Sequence, residues 1–236
     1  MLICAIDTSG RDGSLALARG DASSLEPVAL APIAGGTYSA QLIPCLSSAL
    51  QSNALDKSAI DLFVVASGPG SFTGLRVGIS TVKALAVAFQ KPVVAVSVLE
   101  AVAWAAGRTG HVLAALDAQR QEIYIGEYEC SHADSNYTPR GHRESLMPVA
   151  ELIAWLAGHS SPPLVVTPDA GVERQLHGAG LAVQTIPRPS AEIYAKLGLR
   201  KYLGGETVVL DELDANYIRR SDAEIFSSPK LGIPGH

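Results

Sequence analysis

One stretch, residues 60–89, constrains the fold of this chain more than any other. Residues 60–66 are a short apolar run rich in branched side chains, which predicts a buried β-strand. The sequence Ser67-Gly-Pro-Gly70 must end that strand, because proline cannot donate to a sheet and glycine adopts backbone angles that other residues avoid. Apolar residues then recur at helical spacing as far as Phe89. The stretch therefore predicts a strand, a tight turn and a long helix.

The predicted helix carries two rows of side chains that differ in size. Bulky apolar residues form one row, and beside it lies a row of small residues, Gly74, Gly78 and Thr81. Small side chains allow another backbone to come close. The pattern therefore predicts two neighbours for this helix: the sheet of its own domain and a second packing surface.

The glycine-rich turn before the helix is compatible with three interpretations. Such turns can point N–H groups at a phosphate, but Thr73 stands where the dinucleotide-binding pattern requires glycine, and the P-loop pattern is absent. Ser71 could be a nucleophile, yet it follows Gly70 directly and does not match Gly-x-Ser-x-Gly. The third interpretation is a structural turn, with Ser71 or Thr73 as the N-cap of the helix. Spacing alone favours the structural turn.

The order of predicted elements occurs twice along the chain. The first strand of each copy, residues 2–8 and 112–118, is apolar and carries an aspartate near its end, Asp7 and Asp117. An alternating strand follows, and then helices and strands, although the polar residues 130–143 predict a loop in the second copy. We therefore predict an α/β protein with two duplicated lobes, each a mixed sheet covered by helices.

The duplication also sets the predicted domain boundaries. Residues 1–107 are assigned to an N-terminal lobe, which contains the helix with the row of small residues, and residues 108–203 to a C-terminal lobe. Residues 204–236 are assigned to a tail, for which a return to the N-terminal lobe is one option.

Duplicated lobes of this order resemble the actin-like and sugar-kinase ATPases (the RNase H-like class), in which two aspartates face each other across a nucleotide cleft. That resemblance makes Asp7, Thr8, Ser9 and Asp117 candidates for ATP or ADP binding. It also leaves an active ATPase or small-molecule kinase as the alternative function. The structural explanation is that each aspartate only caps a turn, which is common.

Composition argues against several other functions. The net charge is −5 and the pI about 5.7, whereas a protein that binds nucleic acid by itself usually presents a basic face. No two of the six histidines are three or four residues apart, so no helical metal-binding pair exists and no metal site is predicted. The sequence shows no leader and no apolar run of bilayer length, which predicts a cytoplasmic protein without a membrane partner.

The central stretch also resembles a known family. Ser67-Gly-Pro-Gly-Ser-Phe-Thr-Gly-Leu-Arg-Val-Gly78 is similar to the signature of the TsaB (YeaZ) family, and residues 2–17, 112–128 and 189–217 are similar to other parts of it. The resemblance implies an actin-like, two-lobed subunit without enzymatic activity of its own. It implies a role in forming threonylcarbamoyladenosine at position 37 of tRNAs that read ANN codons.

The resemblance further implies partners. Members of the family pair through their N-terminal lobes with a catalytic TsaD-type paralogue, a TsaE-type ATPase joins the pair, and tRNA is reached only through the complex. TsaD-type proteins carry a metal-binding His-x-x-x-His in the first lobe. This chain has no histidine there, as expected of the non-catalytic member. Tyr38 departs from the family pattern, in which a histidine often begins the first helix.

The residue pattern and the resemblance together predict a partner-binding face on two helices of the first lobe. A chain without its partner is expected to bury the same face in a homodimer. Gly78→Leu is expected to block docking and to leave the isolated fold largely intact. Arg76 has two possible roles at this stage, one near the Gly-Pro-Gly turn and one as an ordinary surface arginine. The predicted partner-binding residues are Leu42, Leu46, Ser71, Phe72, Thr73, Gly74, Arg76, Gly78, Thr81 and Leu85.

Overall fold

A computed structural model describes residues 1–133, 136–216 and 218 of the chain. The first lobe contains β1 (Leu2–Asp7), β2 (Gly13–Gly20), β3 (Leu25–Ile33), α1 (Tyr38–Ser52), β4 (Ile60–Gly68), α2 (Phe72–Phe89), β5 (Val93–Ser97) and α3 (Val98–Ala105). A single 3₁₀ turn, Lys57–Ala59, precedes β4. The second part contains β6 (Gly110–Asp117), β7 (Glu122–Ala133), β8 (Asn136–Pro148), α4 (Val149–Ala157), β9 (Leu164–Thr167), α5 (Ala170–Gly178), β10 (Val183–Thr185) and α6 (Ala191–Leu203).

The two sheets have the same topology. The strand order is β3-β2-β1-β4-β5 in the first sheet and β8-β7-β6-β9-β10 in the second. In each sheet the first three strands in chain order pair antiparallel with one another in sequence. The fourth strand pairs parallel with the first, and the fifth pairs parallel with the fourth. This confirms the predicted duplication of mixed-sheet lobes in an actin-like α/β fold.

Five layers stack on one another. Alternation along β1 sends Leu2, Cys4 and Ile6 to the outer face of the first sheet, where α1 and α2 cover them. Ile3 and Ala5 point to the inner face and share one core with α3, α6 and the inner face of the second sheet. The outer face of the second sheet is covered by α4 and α5. The central helices α3 and α6 therefore belong to a core that both sheets use.

One predicted element is wrong. The polar residues 130–143 do not form a loop, because β7 and β8 pair antiparallel through this region, with Cys130 opposite Pro139. Strand β8 is the third strand that the second copy had lacked. Its polar composition is tolerable because β8 is an edge strand with one neighbour.

Two observations bear on how the chain is divided. Helix α6, which the sequence assigned to the second lobe, packs against strands β1, β2, β4 and β5 of the first sheet. The described part of the tail also meets the first lobe: the Val208 N–H donates to the Val93 carbonyl at 2.9 Å, and Leu213 and Ala215 join the core under α2. The remainder of the predicted tail, residue 217 and residues 219–236, lies outside the described residues.

The strand, turn and helix of residues 60–89 form as predicted. The Ser71 hydroxyl accepts the Gly74 N–H at 3.3 Å and is the N-cap of α2. At the other end Gln90 adopts the left-handed conformation, φ 53°, and its N–H returns to the last carbonyls of the helix.

The close contact between α6 and β4 yields a stability prediction. A Cβ atom added at Gly198 would lie 2.3 Å from Val64 Cγ2, so the helix can approach the strand only with glycine there. We expect Gly198→Ala to destabilise the protein by about 1–3 kcal/mol through overpacking, although alanine favours helices. Urea unfolding checks this. The double variant with Val64→Ala should recover part of the loss, and a stability gain for Gly198→Ala alone would contradict the expectation.

Candidate functional site

A cleft of about 1220 Å³ runs between the two lobes. Its first wall is formed by the turn after β1 and by the start of α2. Its opposite wall is formed by the turn after β6, with Asp169, and the tail closes one side through Asn216 and Ile218. The cleft is therefore assembled from several segments that are distant in the sequence.

Asp7 is not open to this cleft. It is 2% exposed, and its Oδ1 accepts the Ser9 N–H at 2.8 Å and the Ser9 hydroxyl at 2.6 Å. Ser9 lies between Asp7 and the cleft and also accepts a bond from Arg188 Nη2 at 3.2 Å. The aspartate thus stabilises the turn and binds its own chain.

Burial and charge act in opposite directions on Asp7. Burial raises the pKa of the carboxyl above its ordinary value, and the positive charge of Arg188 and the two bonds from Ser9 lower it in part. Tyr194, fully buried beside the same group, has its pKa raised by burial and by the Asp7 charge. Arg188 is therefore the counter-charge that helps to hold a carboxylate in the core.

The small row of α2 faces the chain's own backbone. The Thr8 hydroxyl donates to the Gly74 carbonyl at 2.7 Å, and a Cβ atom added at Gly74 would lie 2.0 Å from the Thr8 carbonyl oxygen. A Cβ atom at Gly78 would lie 2.3 Å from Thr8 Oγ1. The expectation that Gly78→Leu leaves the isolated fold intact is therefore wrong, since leucine there would push α2 away from β1.

The predicted partner-binding residues divide into two groups. Leu42 and Leu46 are 1% and 5% exposed, and with Gly74 and Gly78 they belong to the interior of the first lobe. They cannot contact a partner while the lobe keeps this packing. Ser71, Phe72, Thr73 and Arg76 are exposed, whereas Thr81 and Leu85 are half-buried, and Leu85 packs against the core of the first lobe.

Arg76 lies on the outer side of α2. Its guanidinium carbon lies 3.7 Å from the centre of the Phe72 ring, a cation–π contact that holds both side chains at the start of the helix. Phe72 is 40% exposed. The pair forms a rigid, partly apolar projection next to the cleft.

The second wall of the cleft repeats the aspartate turn in an open form. Asp117 is exposed, and its Oδ1 accepts the Gln119 N–H at 2.8 Å, as Asp7 does for the N–H two residues later. The Asp117 N–H donates to Asp169 at 2.8 Å. Three consecutive residues after it, Gln119 to Gln121, have positive φ angles of 62°, 53° and 61°. Such strain in non-glycine residues persists only where the surroundings fix it.

Within the described residues, no group of three or more His, Cys, Asp and Glu side chains is arranged to hold a metal ion. The two walls of the cleft carry both signs of charge, with Arg11, Arg120 and Arg188 against Asp12, Asp117 and Asp169.

Sequence reasoning missed two members of the site. Arg188 lies between two prolines far from the first strand, and no local pattern connects it to Asp7. Tyr38 was noted only as a departure from a family pattern. Its hydroxyl donates to the carbonyl oxygens of Gly10 and Arg11 at 3.0 and 3.1 Å, which ties the start of α1 to the turn after β1.

The duplicated sheets and the cleft between them define a two-lobed, actin-like α/β protein. The model of the family described as "TsaD: tRNA N6-adenosine threonylcarbamoyltransferase" matches residues 32–153. The Bacillus subtilis "tRNA threonylcarbamoyladenosine biosynthesis protein TsaB" is 30% identical over 95% of this chain and 96% of its own length. The Escherichia coli protein of the same name is 28% identical over 94% of this chain and 96% of its own.

A solved structure has the same fold. YeaZ from Pseudomonas aeruginosa superposes with a TM-score of 0.73 at 26% identity, covering 92% of this chain and 100% of that one. With the identity and coverage of the Bacillus subtilis relative, the chain belongs to the TsaB family.

The buried aspartate leads to a pH-dependent prediction. Arg188→Met removes a charge that lowers the pKa of Asp7, so the folded-state pKa should rise further above the unfolded value. A raised carboxyl pKa means that stability is lost as pH rises through the folded pKa. We therefore expect a loss of roughly 2 kcal/mol at pH 8, since a buried charge loses its partner, and a smaller loss at acid pH.

Thermal unfolding of the wild type and of the Arg188→Met variant, from acid pH to pH 8, measures how the loss of stability depends on pH. In an Asp7→Asn background the pH dependence of the Arg188→Met effect should disappear. A loss that is equal at every pH would mean that Arg188 acts by packing and not by charge.

Proposed function

We propose that the chain is a non-catalytic subunit that pairs with a TsaD-type catalytic paralogue in forming threonylcarbamoyladenosine at position 37 of tRNAs that read ANN codons. The names of its full-length relatives support the pathway. The match to the TsaD model supports a partner of related fold. In this proposal the chain acts as a scaffold or activator of that paralogue.

The observation that carries the proposal is the outer side of α1 and α2. Both helices cover the same face of the first sheet, so their other sides point away from it together. We call these exposed residues the docking face: Ala40, Ile43, Pro44, Ser47, Phe72, Thr73, Arg76, Ser80, Ala84 and Val87.

The docking face includes three exposed large apolar side chains, Ile43, Phe72 and Val87. Ile43 and Val87 are 50% and 66% exposed. Helix α2 has a mean hydropathy of 1.4, and one third of it is buried. Contrary to the expectation of no apolar run of bilayer length, α2 is long and apolar enough to cross a membrane by length and composition alone, but its other side packs on the first sheet. Exposed apolar side chains on two neighbouring helices favour a protein–protein interface.

The fold that the chain shares with the proposed partner suggests how the two would bind. A paralogue with the same fold can present the corresponding pair of helices, which gives a contact close to two-fold symmetry. The same geometry serves a homodimer of this chain when the paralogue is absent. We extend the proposal to a TsaE-type ATPase that joins the pair, to tRNA contact only through the complex, and to a cytoplasmic setting.

The alternative is an ATPase or kinase that uses Asp7 and Asp117. Asp117 is exposed at the cleft and fits that role, but Asp7 is buried and already bound to Ser9. A metal–nucleotide complex held by both aspartates would have to break those bonds. The geometry therefore favours the subunit over the enzyme.

A charge placed on the docking face tests the proposal. Val87→Asp should weaken binding to the TsaD-type protein of the same organism roughly tenfold or more, because a carboxylate would be desolvated at an apolar contact. Light scattering should give a dimer mass for the isolated wild-type chain and a monomer mass for the variant.

The matched control is Val209→Asp, the same change at a valine that is 60% exposed in the tail and is not one of the docking-face residues. It should leave both masses and the affinity unchanged. A wild-type monomer that ignores the paralogue, or a Val87→Asp chain that binds it normally, would contradict the proposed docking face.

The alternative function has a separate test. Asp117→Ala should leave the activity of the reconstituted complex within about twofold if the cleft performs no chemistry, whereas the loss of a catalytic acid or base costs about 100-fold or more. The isolated wild-type chain should not turn over magnesium-ATP. Turnover that is lost in Asp117→Ala would favour the ATPase instead.

A further inference from the structure

One carboxylate joins three parts of the chain that are far apart in sequence. Glu144, on β8, accepts hydrogen bonds from the hydroxyls of Ser97 and Tyr128 on Oε1, the latter at 2.6 Å. Its Oε2 accepts the side-chain amide of Asn216 at 2.6 Å. Ser97 ends β5 of the first lobe, Tyr128 lies on β7 of the second, and Asn216 lies in the tail.

The surroundings of Glu144 fix its position. Tyr128 is 3% exposed and packs over Gly126, where a Cβ atom would lie 2.7 Å from its ring. Ser97 also caps α3, because its hydroxyl accepts the N–H groups of Leu99 and Glu100 at 3.2 and 3.5 Å. A carboxylate at this place is stabilised by charge-assisted hydrogen bonds and by the positive end of α3.

The third bond reaches the turn before α2. The Asn216 backbone N–H donates to the Ser67 carbonyl at 2.6 Å, at the end of β4. The Asn216 carbonyl would lie 3.2 Å from a Cβ atom on Gly68. The tail residue held by Glu144 is therefore packed against the glycine-rich turn, and that turn leads directly into the docking face.

We propose that Glu144 is a positioning residue that ties the two lobes to the tail and, through Asn216, holds the Ser67–Ser71 turn in place for docking. The second lobe thereby controls the order of a surface that lies on the first. The docking consequence rests on the proposed function, but the tie itself is a property of the isolated chain.

Amide hydrogen exchange on the isolated chain tests the tie. The reporters are the Asn216 N–H, bound to Ser67, and the Ser71 N–H, bound to the Ser9 carbonyl at 2.7 Å. We expect Glu144→Ala to speed exchange at both by roughly tenfold or more, because local opening becomes easier. Glu151→Ala, an exposed glutamate on α4, is the matched control and should change neither.

A second variant keeps the test decisive if Glu144→Ala does not fold. Asn216→Ala removes only the amide that Glu144 holds and should release the same two reporters while the β7–β8 hairpin stays protected. Unchanged exchange at Ser71 and Asn216 in every folded variant would overturn the proposal.

The affinity of the same variants for the TsaD-type protein then shows whether the hydrogen bonds of Glu144 affect docking. Faster exchange with a loss of affinity, roughly tenfold on the scale of a lost interface anchor, supports the full inference. Faster exchange with unchanged affinity would overturn the docking consequence. If Val87→Asp also binds normally, the proposed docking face is wrong. The exchange rates alone then test whether Glu144 holds Asn216 and the Ser67–Ser71 turn in place.

Discussion

The close approach of α2 to the turn after β1 is the contact on which the rest of this structure depends. Glycines at positions 74 and 78 bring the helix within hydrogen-bonding distance of Thr8. That approach covers the end of β1 and leaves Asp7 with partners from its own chain. It also sets the orientation of α2, so that the helix presents its outer side to solvent. A single steric condition thus fixes both the burial of Asp7 and the side of α2 that faces solvent.

Much of the fold could be predicted because the chain repeats itself. Two apolar strands ending in aspartate, and a strand, turn and helix in between, were sufficient to predict duplicated mixed sheets. Strand β8 and the end of β7 escaped prediction because an edge strand needs little apolar content, so its pattern is that of a polar loop. Local propensity carries little information where pairing with a neighbour supplies the order.

The site was harder to predict than the fold, for a physical reason. Helical periodicity tells which residues share a side of a helix, but not which side meets the chain's own core. Leu42 and Gly78 were therefore predicted on a partner surface, whereas the structure buries both inside the first lobe. Small residues are ambiguous in the same manner, since they permit the approach of any backbone, including the chain's own. Arg188, Glu144 and Asn216 act over long sequence separations, and a single sequence contains no local signal for them.

The layer of α3 and α6 between the sheets has a mechanical consequence. Both sheets bury apolar side chains against the same two helices, so the two lobes share one continuous hydrophobic core. Two lobes that move as separate rigid bodies would instead meet at an interface that can open. Widening the cleft by a hinge would expose that core to water, which opposes the motion in proportion to the apolar area uncovered. The distance between the two lobes is therefore expected to change little. Any signal that passes from the cleft to the outer helices would travel through shifts in order at the turns, with little movement of the lobes.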